Sequence, residues 1–522
     1  MPATKSYSEF FKSNFIHYLI LVVITVSCNK ISQPAERPNI LFCIADDAGM
    51  FMSAYGSKFV NTPAFDKVAQ NGLLFMNAYT PNPKSGPSRS IVLTGRNSWQ
   101  LEEAGGQSIF FPQKFKTYVE TLNEHGYNVG FTGRGWRAES SDIGDEISRL
   151  LTGKSYNKYK MIPPTKMISS DNYAKNFEYF LAQQEAGKPW AFWYGSKEPQ
   201  RGYAFKSGVE VGGKKLSDIP SEEIYKFWPD NDTVRHDLLD YALEVEYSDH
   251  HLGLMLESLE KSNQLDNTLI IVTSDNGMPF PRVQGKDHER STHLPLAIMW
   301  GKGIKNPGRV INDYVSFTDF APTFLEVAGI DAKKTEMKKM AGKSLTALFY
   351  SSKEGIVDDK RNYVLLGKER NNFLKVVPND HPVRGIIMDN YLFLHNYSES
   401  FKDENIGSVD WSYEINPTQS WILKAKTNND NDQYWEWAFG ETERYELYDI
   451  KNDPDCINNL SSLPRYKDRV EEMSSYMNER LIEQNDPRMF GKEEVFERLP
   501  FSNLYTQNPF CLDSNNIEIP IF

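Results

Sequence analysis

"RPNILFCIADDAG" (residues 37–49) carries an unbroken apolar run from Ile40 to Ile44 and then two acids, an alanine and a glycine. An apolar run of that length, closed by turn-forming residues, predicts a strand covered on both faces, as in a parallel sheet. The pattern returns at 266–277, "DNTLIIVTSDNG". Between the two lie a helix, turn and short strand in "TPAFDKVAQNGLLFMNAYT" (62–80), and a second helix and strand in "FKTYVETLNEHGYNVGFTGRGW" (115–136). "KPWAFWYGSKEP" (188–199) adds a strand, and leucines at helical spacing fill 232–262. Helices alternating with buried strands predict an open α/β sheet, with ligands at the carboxyl ends of its strands.

Near residue 365 the texture changes to short strands ("YLFLHNYS", "ERYELYDIKNDPD") and a closing helix around 465–485. The expected organisation is a catalytic domain over 37–364 and a smaller α+β subdomain with an antiparallel sheet over 365–522. The net charge of −12, with no long basic run, argues against sequence-independent nucleic-acid binding. A local cationic pocket for an anionic substrate remains compatible with it. At the N-terminus, Lys5 and Lys12 precede "FIHYLILVVITV" and "TVSCNK", an apolar core of signal-peptide length. Residues 1–27 therefore read as a lipoprotein-type signal with Cys28 as the lipidated residue, although an ordinary cleaved signal has the same core. That predicts an exported protein, an outer-membrane or periplasmic lipoprotein of a Gram-negative bacterium, touching the membrane only through its anchor. Cys43 sits in a core-strand pattern, so a disulfide framework is not expected.

Asp46-Asp47 and Asp275-Asn276 each stand where a buried strand leaves the sheet. Three acids and an amide gathered there would repel without a cation, and all-oxygen ligands select Ca²⁺ or Mg²⁺. Turn chemistry accounts for the same residues equally well.

"SGPSRSIVLTGR" (85–96) breaks that tie. It resembles the signature of type I sulfatases, in which a Cys or Ser before x-Pro-x-Arg is oxidised to formylglycine (3-oxoalanine). "PNILFCIADD" and "TSDNG" resemble the family's two metal strands, and "ERYELYDIKNDPDCINNL" its tail motif; the likeness runs over roughly 37–485. "DNGMPFPR", "WPDND" and "NDPRMFG" are similar to the heparan N-sulfatase (sulfamidase)-like branch and bacterial polysaccharide sulfatases. The resemblance implies an alkaline-phosphatase-like fold with a large, mostly parallel sheet. It also implies a Ca²⁺ ion held by Asp46, Asp47, Ser85 (as formylglycine), Asp275 and Asn276. Arg89 would support the aldehyde hydrate, whose one hydroxyl attacks sulfur and whose other expels sulfate. Because residue 85 is Ser, a serine-type sulfatase-maturating enzyme is the implied partner.

The chain departs from the family pattern around the substrate. Arg134 stands where a lysine is common, Gln200 replaces the histidine of "EPHR", Gln284 replaces a lysine, and Asn371 ends a "GKERH"-like motif. Glutamine donates a hydrogen bond but is no general acid. Arg134 and His293 are therefore expected to contribute to catalysis, with Gln200, Lys286 and His288 binding substrate. The function expected is hydrolysis of sulfate esters on a sulfated polysaccharide or its oligosaccharides, algal polymers such as ulvan or carrageenan being favoured over glycosaminoglycans. N-sulfoglucosamine hydrolysis and a catalytically impaired glycan-binding homologue are the alternatives.

Overall fold

The computed structural model describes residues 37–106, 110–136, 149–369, 382–397, 416–427 and 432–499. The expected signal segment, Cys28 and Asn371 lie outside these. From Pro38 onward the described residues form a single compact unit.

The apolar run Ile40–Ile44 lies in β1 (Asn39–Ala45). Leu41 and Cys43 face one apolar core, while Ile40, Phe42 and Ile44 face another. That split is the physical meaning of an apolar run without alternation: the strand has no wet side. The strands β2 (Leu73–Phe75), β3 (Ala78–Tyr79), β4 (Asn128–Gly133), β5 (Lys154–Ser155), β6 (Trp190–Gly195), β7 (Thr268–Ser274), β8 (Leu296–Met299), β9 (Arg309–Ile311) and β10 (Val315–Ser316) follow. Eight of them form one sheet in the order β5-β4-β6-β1-β7-β8-β2-β9, and β3 pairs with β10 beside it.

Among the described strands of the large sheet only β8 runs against its neighbours, pairing antiparallel with both β7 and β2. The connection from β7 to β8 carries no crossover helix over the sheet, so the chain returns in the opposite sense. The sheet is thus mixed and mostly parallel, as expected. One face is covered by α1 (Pro63–Gln70) and the long helix Asp232–Lys261, the other by α2 (Ser85–Thr94) and the helix Phe320–Val327. Phe42 illustrates the packing: its ring meets those of Trp193, Phe320 and Phe324 at 4.9, 5.6 and 5.6 Å. Truncating such a fully enclosed ring costs about 3–5 kcal/mol.

A second sheet of four antiparallel strands, β11 (Tyr363–Lys368), β12 (Val383–Met388), β13 (Tyr391–Asn396) and β14 (Tyr445–Asp449), lies C-terminal to the first. β11 begins before residue 365, so the strand straddles the expected domain boundary. The closing helix, Lys467–Glu483, covers one face of this sheet with Met473, Met477 and Leu481. Cys43 and Cys456 are both buried and free.

Candidate active site

β1 and β7 are parallel neighbours with Ala45 opposite Ser274. That register delivers Asp46-Asp47 and Asp275-Asn276 to the same edge. The turn after β1 is tied down by the Asp47 amide, which donates to Asp275 Oδ1 at 3.0 Å, and by the Ala48 amide, which donates to Ser274 Oγ at 2.8 Å. Asp47 itself adopts a left-handed backbone (φ +70°). The carboxylates of Asp46, Asp47 and Asp275 stand within 4.8 Å of one another, all buried.

Ser85 opens α2, and its Oγ lies 3.0 Å from Asp46 Oδ1 and 3.2 Å from Asn276 Oδ1. Arg89 is one helical turn on, so it projects from the same face as Ser85. Its Nε donates to Asp275 Oδ2 (2.9 Å) and its Nη1 to the carbonyls of Arg134 (3.0 Å) and Gly135 (2.8 Å). Arg134 leaves β4 and donates Nη1 to both Asp46 Oδ2 and Gln200 Oε1, the latter at 3.0 Å. The amide of Asn276 donates to Asp47 Oδ1, which leaves its own Oδ1 towards Ser85.

Electrostatics divide the acids. Burial, then the neighbouring Asp46 and Asp275 charges, push the Asp47 carboxyl well above the usual range. Burial and the Asp46 charge likewise lift Asp275 to about 6, against the pull of Arg89. Asp46 goes the other way: burial would raise it, but Arg134 and Arg89 hold it below its ordinary value. Two arginines do not balance three buried carboxylates, and burying the surplus charge is costly. The donor set fits a hard divalent cation: Asp46, Asp47 and Asp275 carboxylates, the Asn276 carbonyl oxygen and an oxygen at position 85.

The remaining expected residues fall in different places. Gln200 is in the network through Arg134, and Gln284 Nε2 reaches to 3.5 Å from Asp47 Oδ2. Lys286 follows on the same loop, half-buried. His288 is buried against the C-terminal sheet with Nε2 3.1 Å from Glu446 Oε2, and burial lowers its basicity. His293 is placed away from this network by its bonds. Its Nδ1 meets Glu289 Oε1 at 2.9 Å, its Nε2 meets the Met76 carbonyl at 2.8 Å, and its ring stacks on Tyr79. Both nitrogens are spent on packing, so its geometry is not that of a catalytic group. Of the paired histidines in the long helix, His251 packs between Tyr173 and Tyr247 and His250 is exposed. The Trp-rich stretch 433–439 is a helix, Asp432–Phe439, whose buried residues join the main core.

Glu198 organises the site without any signal in the sequence. It is buried on the strand-exit loop that carries Gln200, accepting from the Ser169 amide (2.8 Å) and the Tyr173 hydroxyl (2.8 Å). A glutamate beside a proline gives no signal of that role.

A mostly parallel sheet that gathers acids, a helix-opening serine and arginines at its central strand ends is the arrangement expected of an alkaline-phosphatase-like α/β fold. The chain belongs to the sulfatase family, whose profile matches residues 38–330, and is a sulfuric ester hydrolase by that membership. A second profile, N-sulphoglucosamine sulphohydrolase, C-terminal, matches 286–405. The chain is 28% identical to an ulvan-active sulfatase of Formosa agariphila, over 85% of this chain and 80% of that one. It is 24% identical to the human N-sulphoglucosamine sulphohydrolase, over 89% and 93%. Its fold matches a protein solved with its substrate D-glucosamine-2-N,6-O-disulfate, with a TM-score of 0.60 at 21% identity, covering 86% of this chain and 98% of that one.

Proposed function

We propose that the protein hydrolyses sulfate esters of a sulfated polysaccharide or its oligosaccharides, with Ser85 matured to formylglycine and Ca²⁺ held by the strand-end acids. The observation that carries this reading is the position of Ser85 Oγ, 3.0 Å from Asp46 and 3.2 Å from Asn276, inside a cluster with more buried negative charge than its arginines offset. When bound, the cation screens the anionic ester and acidifies a hydroxyl nucleophile. Oxidised to the aldehyde and hydrated by water, residue 85 would supply that nucleophile.

The chain's own groups set the geometry. Arg89 orients Asp275 and ties α2 to the β4 exit through two carbonyls, which fixes the height of Ser85 against the acids. Arg134 presents a planar guanidinium suited to bidentate sulfate contact, and Gln200 aligns it. Gln200 can donate to a sulfate or bridging oxygen through its amide, without transferring a proton. The similarity to the ulvan-active sulfatase supports an algal polymer as substrate. N-sulfate cleavage is the second reading, favoured by the match of 286–405 to the N-sulphoglucosamine sulphohydrolase C-terminal profile. Residues 1–36 support export and lipid anchoring at Cys28, and the serine at 85 supports a serine-type maturating partner.

Peptide mass spectrometry across Ser85, after co-expression with a serine-type maturase, combined with sulfate release from ulvan, carrageenan and heparan fragments, tests the proposal. A loss of about 2 Da, the two hydrogens removed when the alcohol becomes an aldehyde, with release from an ester substrate is the expected result. Release confined to N-sulfated glucosamine selects the second reading. Ser85→Ala should reduce release by at least about 10³-fold; an Ala variant with wild-type turnover would overturn the mechanism.

A further inference from the structure

We propose that the cleft between the C-terminal end of α2 and the start of β11 is a second site for sulfated glycan, gripping a polymer at a distance from Ser85. The choice of ligand rests on the reading above; the site itself does not. The cleft encloses about 60 Å³ and is lined in part by Asn97, Ser316, Asp319, Lys343, Lys360 and Arg361. At roughly 10–15 Å³ for each water-sized occupant, that admits about four to six heavy atoms, the size of one sulfate group. Arg361 is only 7% exposed, and its Nε makes no hydrogen bond among the described residues. Asp358 Oδ2 stands 3.9 Å from that nitrogen, outside hydrogen-bond reach. Ser316 Oγ accepts from the Thr318 hydroxyl at 2.9 Å, so its own proton remains to be donated. A buried donor left unmet is costly, and an oxyanion in the cleft meets it.

Charge favours the same ligand. Asp319, the acid that lines the cleft, is already met by Arg361 Nη1 at 2.8 Å and by the Lys343 and Ser316 amides at 2.7 and 3.2 Å. Lys343 and Lys360 are exposed at the rim, and neither ammonium pairs with a carboxylate among the described residues. Lys343 Nζ lies 3.3 Å from the Lys360 carbonyl, which holds the two residues together. Lys343 also ends a stretch, 333–343, that carries five lysines and one glutamate in a chain of net charge −12. That stretch is pinned where it reaches the cleft. Arg96 donates to the Lys339 carbonyl, and the Ala341 amide donates to the Gly95 carbonyl at 2.7 Å. A local cationic surface on an acidic protein concentrates a polyanion. Gly95 caps α2, whose ten residues separate it from Ser85 by about 15 Å. A sulfated disaccharide seated at Ser85 is too short to reach the cleft as well, while a polymer engages both.

Protein made without a maturase leaves the polymers intact. Its binding to ulvan, carrageenan and heparan, each beside its desulfated form, is measured by affinity electrophoresis. The wild type should bind at least one sulfated polymer, and Lys343→Gln combined with Lys360→Gln should weaken that binding by about 3–20-fold at low salt. Melting temperature should not move, because both side chains are exposed. With matured protein, the pair should raise KM for the polymer by the same factor and leave KM for a sulfated disaccharide within twofold. A pair that binds every polymer within twofold of the wild type overturns the proposal. Equal retention of the desulfated polymer or of duplex DNA does so too, as does binding of inorganic sulfate alone with no gain from the polymer. Lysine-dependent binding by a protein that, once matured, releases no sulfate would leave this site standing and sink the sulfatase reading instead.

Discussion

Two buried charge clusters in this chain are built from the same residue types and come to opposite ends. In the C-terminal sheet, fully buried Arg384 meets Asp486 and Glu369, and Arg488 meets Glu369 from the other side. Two arginines face two acids, and the set is closed. At the ends of β1 and β7, three acids face two arginines that also donate to main-chain carbonyls and to Gln200. The first cluster is complete as built. The second has an anionic remainder, and a remainder held in place by the fold is a place for something else to bind.

The largest effect should come from the unbalanced cluster. Asp47→Asn would remove a ligand of the proposed cation and is expected to lower activity by at least about 10³-fold, the scale of several kcal/mol of lost cation chemistry. The same change should leave the chelated protein at least as stable as the wild type, since it relieves repulsion with Asp46 and Asp275. Melting curves in chelator would break the comparison if the variant proved less stable. The balanced cluster should answer oppositely. Arg384→Met leaves Asp486 buried and unpaired and should cost about 3–5 kcal/mol in denaturant titration. Any activity it loses should return once the folded fraction is corrected for.

A lone buried acid sharpens the contrast. Glu244, on the long helix, is pushed up to about 9 by burial and by the Glu198 and Asp240 charges. A carboxyl raised in the folded state contributes stability at pH values below its unfolded value, and that contribution is lost as pH rises through the window from about 4.5 to 9. Glu244→Gln should therefore stabilise the protein at pH 7 by at most about 3 kcal/mol, with little gain near pH 4.5. A pH-independent difference would show that Glu244 does not titrate in that window. The smallest effect is expected at His293→Gln. With both ring nitrogens spent on Glu289 and Met76, kcat/KM should change by less than about tenfold, roughly one proton-transfer role short of a catalytic histidine.

Much of this arrangement was written in the sequence. β1 and β7 were legible because strands buried on both faces leave an unbroken apolar run, and their closing acids were legible because a strand end fixes where the next two residues go. Arg89 was legible only through the resemblance of the 85–96 stretch to the family signature. Side-chain direction in loops was not legible. Arg282 and Gly285 both adopt left-handed backbones on the loop after β7, and no periodicity encodes such turns. That loop decides that His288 goes to Glu446 and that Gln284 goes to Asp47. The fate of His293 likewise depends on long-range partners, a carbonyl on the strand-end segment at Met76 and the ring of Tyr79. The antiparallel course of β8 depends on what the preceding loop does, rather than on β8's own residues.

All ten residues of α2, Ser85 to Thr94, are buried, so this helix has no outward side. The consequence is one of timing. Under the proposed maturation, a modifying enzyme would have to meet this segment before the fold closes over it. Asn276, which completes the enclosure, lies 191 residues further along. At about 5–20 residues per second of synthesis, that leaves an interval of about 10–40 s between the emergence of the two. If Ser85 is matured as proposed, that maturation would be a race against folding, and slowing the ribosome between the two positions should raise the modified fraction without altering a single contact in the folded protein.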